Sequence, residues 1–412
     1  MRAVTEGDGI VVAGGGLGGL TAALALARRG RRVSVLEGAP AFGAIGYGIQ
    51  FGPNVFHVFD RIGVRDAVLT RSDEPRALVM LDALDGREVV RIPCAGLRGR
   101  FGHPYIVVHR SDLHEVLLDA CRRDPLVTLV PDAMVADFRD HGDGVTVATE
   151  DGRAFHAAAL VGADGVRSRV RTALFGDGAL ALNGYMAFRT IVPIEEVTAP
   201  IDRDVVALWC GPGFHVVHYP LRHGALLNVV AVIRRDADAG RGDPASHRAE
   251  LAHVHRHSHP ALRALLGLFD LDRRQDRWTG AIGDRDPVRR WHRGRVVILG
   301  DAAHPTLQSL AQGAAMAIED GESLAGCIAA ADGFAAAFRQ FELARAVRTA
   351  RVTLESRHLW EVYHADGIAR DVFWQTLGER SEHDLHRCLA WLYDGFALPG
   401  AGAAHEIPLA PP

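Results

Sequence analysis

The sequence predicts the α/β class: one α/β lobe assembled from non-contiguous pieces, an antiparallel-sheet lobe inserted into it, and helices toward the C-terminal end. Three observations carry this. Residues 9–13, 17–29 and 33–37 read as a buried strand, a helix of small and apolar residues, and a second strand. From about 186 to 233 the pattern changes to antiparallel strands at 205–209, 214–219 and 226–233, with turns at Gly211-Pro212-Gly213 and His223-Gly224. Apolar strands stand on either side of that stretch, at 157–162 before it and, of the parallel type, at 296–299 after it, and helix dominates from 314 to 391. Parallel strands need crossover helices, and the first and last thirds of the chain supply them.

The bulk numbers agree with two lobes. With 412 residues and 48% hydrophobic content the chain exceeds what a single core needs. Lys+Arg of 46 against Asp+Glu of 50 leaves a net charge of -4, which asks for neither nucleic acid nor an anionic membrane as partner. Five scattered cysteines without a CxxC pair give no disulfide framework or zinc site and suit a reducing cytosol. The N-terminal apolar stretch is broken by glycines and runs into Arg28, Arg29, Arg31 and Arg32, unlike a signal peptide. No apolar run approaches the ~20 residues of a membrane span. A cytoplasmic protein without integral membrane association is expected.

The segments divide as follows. Residues 1–72, 98–182 and 287–345 form the α/β lobe. Residues 73–97 form a hairpin of the inserted lobe around Asp85-Gly86, and 183–286 form its sheet. Residues 346–412 hold C-terminal helices and a tail. A helix at 113–121 places Ser111 as N-cap and Asp112 in the first turn. Further strands fall at 127–130 and 145–149. Residues 236–244 read as a polar loop, and the Ala-, Gly- and Pro-rich tail after Leu398 reads as disordered.

Between the first strand and helix stands GGGLGG, which contains GxGxxG through Gly14, Gly16 and Gly19, with Leu17 opening the helix. Glu37 closes the next strand about 20 residues on, as a dinucleotide site requires. The first glycine permits the tight turn, the second lets a pyrophosphate approach the backbone, and the third lets helix and strand pack. The helix N-terminus offers free N–H groups to phosphate. A strand-end Glu suits an unphosphorylated ribose, hence FAD or NAD, and predicts a Rossmann-like lobe.

Two later strands also end in carboxylates. Residues 159–165 lead into Ala163-Asp164-Gly165, and 296–299 lead into Gly300-Asp301-Ala302-Ala303-His304-Pro305 before a helix that begins at Gln312-Gly313. Ligands of open α/β sheets sit at this edge. With GGGLGG, Glu37, GADG and GDAAHP in this order, the chain resembles the single-component FAD-dependent aromatic hydroxylases, the family of the 4-hydroxybenzoate, salicylate and 3-hydroxybenzoate hydroxylases. The resemblance implies that Asp301 bonds the ribityl chain of FAD. It implies that Asp164 and Gly165 lie near FAD and a transient NADH or NADPH. It also implies that Arg110 contacts the cofactor, with Gln50, Gly313 and Ala314 completing its surroundings. The helix after Gly313 would direct its N-terminus at the flavin pyrimidine edge, where reduced flavin is negative. Helix capping by Asp301 and turn formation by Asp164 are roles that coexist with these.

In the strand 214–221, His215, Val217 and Tyr219 share one face. His215 and Tyr219 stand about 13 Å apart at Cα. From the residues alone, a core histidine and a packing aromatic compete with an active-site pair. This stretch, with 98–105, 109–113, 219–222 and 305–308, is similar to the subgroup of the 3-hydroxybenzoate 6-hydroxylases and 6-hydroxynicotinate 3-monooxygenases, nearer to the former. The resemblance implies that His215 and Tyr219 meet the phenol and that Gln308 fixes the substrate near the flavin. Ser309 and His218 depart from the subgroup, which points to a wider or more polar pocket. The implied chemistry is hydroxylation of a small aromatic acid with O₂ through a flavin C4a-hydroperoxide, giving gentisate from 3-hydroxybenzoate. His215, with an unperturbed pKa of about 6.5, would take the phenolic proton.

Other readings remain: a salicylate-type, decarboxylating or natural-product hydroxylase, a flavin-binding redox sensor, and an NAD-dependent dehydrogenase. The tract His253, His255, His257, His259 reads as a solvated segment rather than a metal site. Arg167, Arg169 and Arg171 read as a solvated or cofactor-side basic edge. Trp360, Tyr363 and His364 stand at helical spacing and read as packing residues, with a homodimer contact as their further use.

Overall fold

The computed structural model describes residues 8–43, 46–177, 179–235, 244–270 and 280–395. The first lobe is built on a six-stranded sheet in the order His292–Arg293, Val296–Ile298, Ala159–Gly162, Ile10–Ala13, Val33–Leu36, Val127–Val130. All neighbours pair in parallel except at the His292–Arg293 edge. The strands are Val-, Ile- and Ala-rich and the central ones are buried, because helices cover both faces. Helix Leu17–Ala27 is buried along its whole length and packs backbone to backbone on helix Gly313–Ala330. A Cβ on Gly321 would come within 2.7 Å of the Ala22 nitrogen, so small residues allow this approach.

The second lobe is a seven-stranded sheet in the order Gly280–Asp284, Ala181–Pro193, Leu226–Arg234, Phe214–Leu221, Val206–Gly211, Ala77–Asp82, Glu88–Pro93. It is antiparallel except where Val206–Gly211 pairs in parallel with Ala77–Asp82. That join is where the early hairpin meets the later sheet, so no turn constrains its direction. The segment divisions expected at 97–98, 182–183 and 345–346 fall inside helix Cys94–Phe101, strand Ala181–Pro193 and helix Phe334–Tyr363. The two lobes therefore share continuous elements.

Several local expectations change. The helix expected at 113–121 runs from Arg110 to Arg123 with His109 at the cap position. Strand Ile106–His109 enters it without a linker, and the Ser111 hydroxyl bonds the His109 ring at 2.6 Å instead of capping. The strand expected at 157–162 is two strands, Ala154–Ala157 and Ala159–Gly162, in different sheets. Arg171 is not a solvated edge. It is buried, and its guanidinium donates to the carbonyls of Ala302 and Ala303 at 2.9 and 2.8 Å. It thereby anchors the turn that carries Asp301. Trp360 and His364 are buried inside the chain against the second lobe, so they do not serve as an outward dimer contact. His253, His255 and His257 are exposed on helix Pro244–His257. Of the loop expected at 236–244, residues 236–243 lie outside the described residues, as does the tail, and Pro244 opens helix Pro244–His257. No helix among the described residues is long and apolar enough to cross a membrane.

Candidate active site

A cavity of about 1090 Å³ opens between the carboxyl edge of the first sheet and one face of the second. Gly16 and Leu17 bound one end of it. Gly14 has φ +105°, and its missing Cβ would meet the Ala163 carbonyl oxygen at 2.4 Å. A Cβ on Gly19 would fall 2.0 Å from the Gly14 oxygen. Those two glycines are required by protein packing beneath the turn, whereas a Cβ on Gly16 would meet nothing within 4 Å. The approach to the backbone is open there. Glu37 lies beside this turn and accepts from the Gly15 and Ala39 N–H groups at 2.8 and 2.9 Å. Its carboxylate is thus already oriented at the fingerprint.

Asp301, Gly313 and Ala314 line the same cavity. The helix Gly313–Ala330 begins without a side-chain cap, as does Leu17–Ala27. Two sets of orphan N–H groups therefore face one cleft. The Asp301 side chain opens into the cleft, and loss of solvent at its depth raises its pKa against the pull of His304 and Arg110. The turn beneath it is held by a buried network. Asp320 accepts from the Gly300 N–H at 2.9 Å and from Arg345 at 2.7 Å, and it bonds His304 at 2.5 Å. Against the penalty of burial, these partners hold Asp320 down at about 2. Gly165 lines the cavity, whereas Asp164 is turned away and caps helix Arg169–Phe175 through the Arg169 and Val170 N–H groups at 2.8 and 3.1 Å.

The far wall is the face of strand Phe214–Leu221 that carries His215, Val217 and Tyr219. The opposite face, with Phe214 and Val216, packs into the core of the second lobe. His218 is buried on that opposite face, so its departure from the subgroup does not shape the cavity. The Ser309 hydroxyl donates to the Ser356 carbonyl at 2.7 Å, which leaves it no proton to give the cavity. Gln50 lines the cavity and links two buried phenols. It accepts from Tyr105 at 2.6 Å and also bonds Tyr219. Burial raises the Tyr219 pKa, so its hydroxyl stays protonated as a donor.

His215 differs from expectation in one respect. Burial, and then the neighbouring His364, push its pKa well below the ordinary histidine value. It is a neutral imidazole, hydrogen-bonded through Nδ1 to His364 at 2.8 Å. Any proton it takes must arrive with a compensating charge.

Sequence reasoning missed Arg189 and Tyr47. Arg189 stands on strand Ala181–Pro193, reaches the cavity, donates to Gln308 Oε1 at 3.2 Å, and lies 5.4 Å from the Tyr47 ring. Arg110 lies 5.6 Å from the same ring. No carboxylate lies against Arg189 among the described residues, and desolvation lowers its pKa. One signal was available: an arginine at 189 in the largely apolar run 186–193.

The comparisons agree with this geometry. The FAD binding domain family matches residues 9–348. The 3-hydroxybenzoate 6-hydroxylase of Polaromonas naphthalenivorans is 40% identical over 93% of this chain and 95% of its own. The chain belongs to the FAD-dependent aromatic hydroxylases. This hydroxylase is also 34% identical to the 6-hydroxynicotinate 3-monooxygenase of Bordetella bronchiseptica, over 83% of this chain and 89% of that one. Its fold matches Klebsiella pneumoniae HpxO, solved with FAD and uric acid, at a TM-score of 0.82 and 27% identity, covering 93% and 95% of the two chains. The residues present fit FAD. The path over Gly16 is open, and the uncapped helix ends, the Asp301 carboxyl and the buried Thr306 hydroxyl, which has no partner among the described residues, are groups that a flavin dinucleotide would satisfy.

Proposed function

We propose that this hydroxylase converts 3-hydroxybenzoate to gentisate, with NADH or NADPH as transient electron donor and O₂ as the oxygen source. The observation that carries the acid substrate is Arg189, a cation in the cavity wall whose neighbours Tyr47, Tyr219 and Gln308 are all neutral. A desolvated guanidinium without an acidic partner is unfavourable, and a substrate carboxylate would relieve it. Relatives at 40%, 36% and 37% identity that carry the name 3-hydroxybenzoate 6-hydroxylase support the same substrate.

In this reading Gly14, Gly16, Leu17 and Gly19 shape the pyrophosphate turn, and Glu37 holds the ribose. Asp301 meets the ribityl chain, and the Gly313 helix faces the flavin. Reduced FAD, when bound, activates O₂ as an electrophilic oxygen donor. The protein's task is to hold the ring, exclude water and raise the ring's nucleophilicity. Arg189 and the Gln308 amide orient the carboxylate end. His215 takes the phenolic proton at Nε2, and the resulting phenolate and imidazolium form together as a pair, which burial opposes less than a lone imidazolium. Tyr219 donates to the substrate and stays protonated. Asp164 acts through the turn it caps, beside the nicotinamide path.

The test is product identification from a panel of phenolic acids. Gentisate formed in proportion to nicotinamide oxidised is the expected result. Coupled hydroxylation of another acid, with 3-hydroxybenzoate unconverted, would overturn the substrate.

A further inference from the structure

The ring nitrogens around His215 form an ordered chain that nothing in the family comparison assigns. His364 ends helix Phe334–Tyr363, and its Nδ1 lies 2.7 Å from the Trp360 carbonyl oxygen. A carbonyl can only accept, so this nitrogen carries the hydrogen. The helix-end carbonyl is one of the orphan acceptors such a group commonly satisfies. His364 Nε2 lies 2.8 Å from His215 Nδ1. Burial, and then the Arg234 charge, lower the His364 pKa to about 4 against the opposing pull of the Trp360 hydrogen bond, so the ring is neutral and its Nε2 is a bare acceptor. His215 Nδ1 must then be the donor. A neutral imidazole holds one hydrogen, which leaves His215 Nε2 bare, and that atom has no hydrogen-bond partner among the described residues while its side chain forms part of the cavity wall.

We infer that His364 is a positioning residue that locks His215 in the tautomer whose Nε2 can accept the substrate's phenolic proton. Without this lock, the other tautomer would put a hydrogen on Nε2 and oppose proton transfer. In the transfer the phenol O–H bond breaks and an Nε2–H bond forms, so phenolate and imidazolium appear with no change in total charge. His364 stabilises the imidazolium by continuing to accept from Nδ1. The ring is held by Trp360 at 5.4 Å and Tyr363 at 5.9 Å, both edge-on. Tyr185, its ring centroid at 4.5 Å, and Arg234 flank His364, and neither is a carboxylate.

This inference rests on the proposed role of His215, and the experiment separates the two. His364→Asn keeps a short amide that can cap the Trp360 carbonyl but cannot reach His215. His364→Gln carries an amide oxygen near the position of Nε2. The probe is 5-hydroxy-2-nitrobenzoate, whose phenolate absorbs visible light, bound to the FAD-loaded enzyme. Wild type is expected to hold it largely as phenolate. His364→Asn should lower the phenolate fraction at fixed pH and reduce kcat on 3-hydroxybenzoate by about 10- to 100-fold, the range for lost orienting partners. His364→Gln should restore most of both. Wild-type phenolate in His364→Asn, or equal impairment in the Gln variant, overturns the lock. Wild-type phenolate in His215→Leu overturns the role of His215 and the lock with it. A variant that loses FAD or melts early while still ionising the probe marks a purely structural cap and also overturns it.

Discussion

At the scale of single residues, the site is governed by which polar groups lack partners. Glu37 and the fingerprint glycines could be read from spacing, because each serves a strand-turn-helix whose geometry is local. Arg189 could not, because its importance lies in a missing acid, and which side chains surround it is decided across strands and lobes. A charge-assisted hydrogen bond is worth about 1.5–3 kcal/mol. Arg189→Leu should therefore raise KM for 3-hydroxybenzoate by about ten- to a hundredfold. Turnover of 3-hydroxybenzyl alcohol, which lacks the charge, should change far less. Steady-state kinetics on the two substrates check this, and an equal loss on both would refute the carboxylate contact. His215 gives the complementary lesson. Its place on the cavity face was legible from alternation in the strand, but its lowered pKa was not, since that comes from burial and from a residue 149 positions away.

At the scale of elements, helix ends and strand alternation carried most of the legible information. Gly313–Ala330 and Leu17–Ala27 start where the motifs placed them, uncapped and facing the cleft. What the pattern could not place is helix Gly367–Gly378, whose residues Val372, Phe373 and Thr376 form part of the cavity wall. Its position is set by Asp82, fully buried on the early hairpin strand, which pairs with Arg370 and accepts from Trp374 Nε1 at 2.7 Å. Removing one member of a buried charge pair costs about 3–5 kcal/mol. Asp82→Ala should lower the melting temperature, and proteolysis should cut first near this helix. Unchanged melting and cleavage would show that the helix docks by apolar contact alone.

At the scale of the whole molecule, burial of neutral histidines makes the fold sensitive to mild acid. His218 and His364 are lowered to about 4 by burial, and burial also pushes His215 well below its ordinary value. Between the unfolded value of 6.5 and about 4 the unfolded chain binds protons that the folded chain refuses. Stability present above that window is therefore lost as pH falls through it, by up to about 1.4 kcal/mol per pH unit for each histidine. Asp320, held at about 2, keeps its contribution throughout this range and loses it only in stronger acid. Melting followed from about pH 7 to about pH 4.5 should show a steep decline, shallower in His218→Leu. A slope unaffected by that substitution would assign the acid sensitivity elsewhere.

The sequence by itself determined the class, the strand-turn-helix that opens it, the three ordered motifs and the strand face bearing His215 and Tyr219. These depend on periodicity and on steric rules that act over a few residues. Only the tertiary structure decided that Arg171 braces the Asp301 turn, that Arg189 meets no acid among the described residues, and that His364 faces His215. Hydrogen bonds and desolvation depend on distances between segments remote in the chain, and no local pattern encodes those distances.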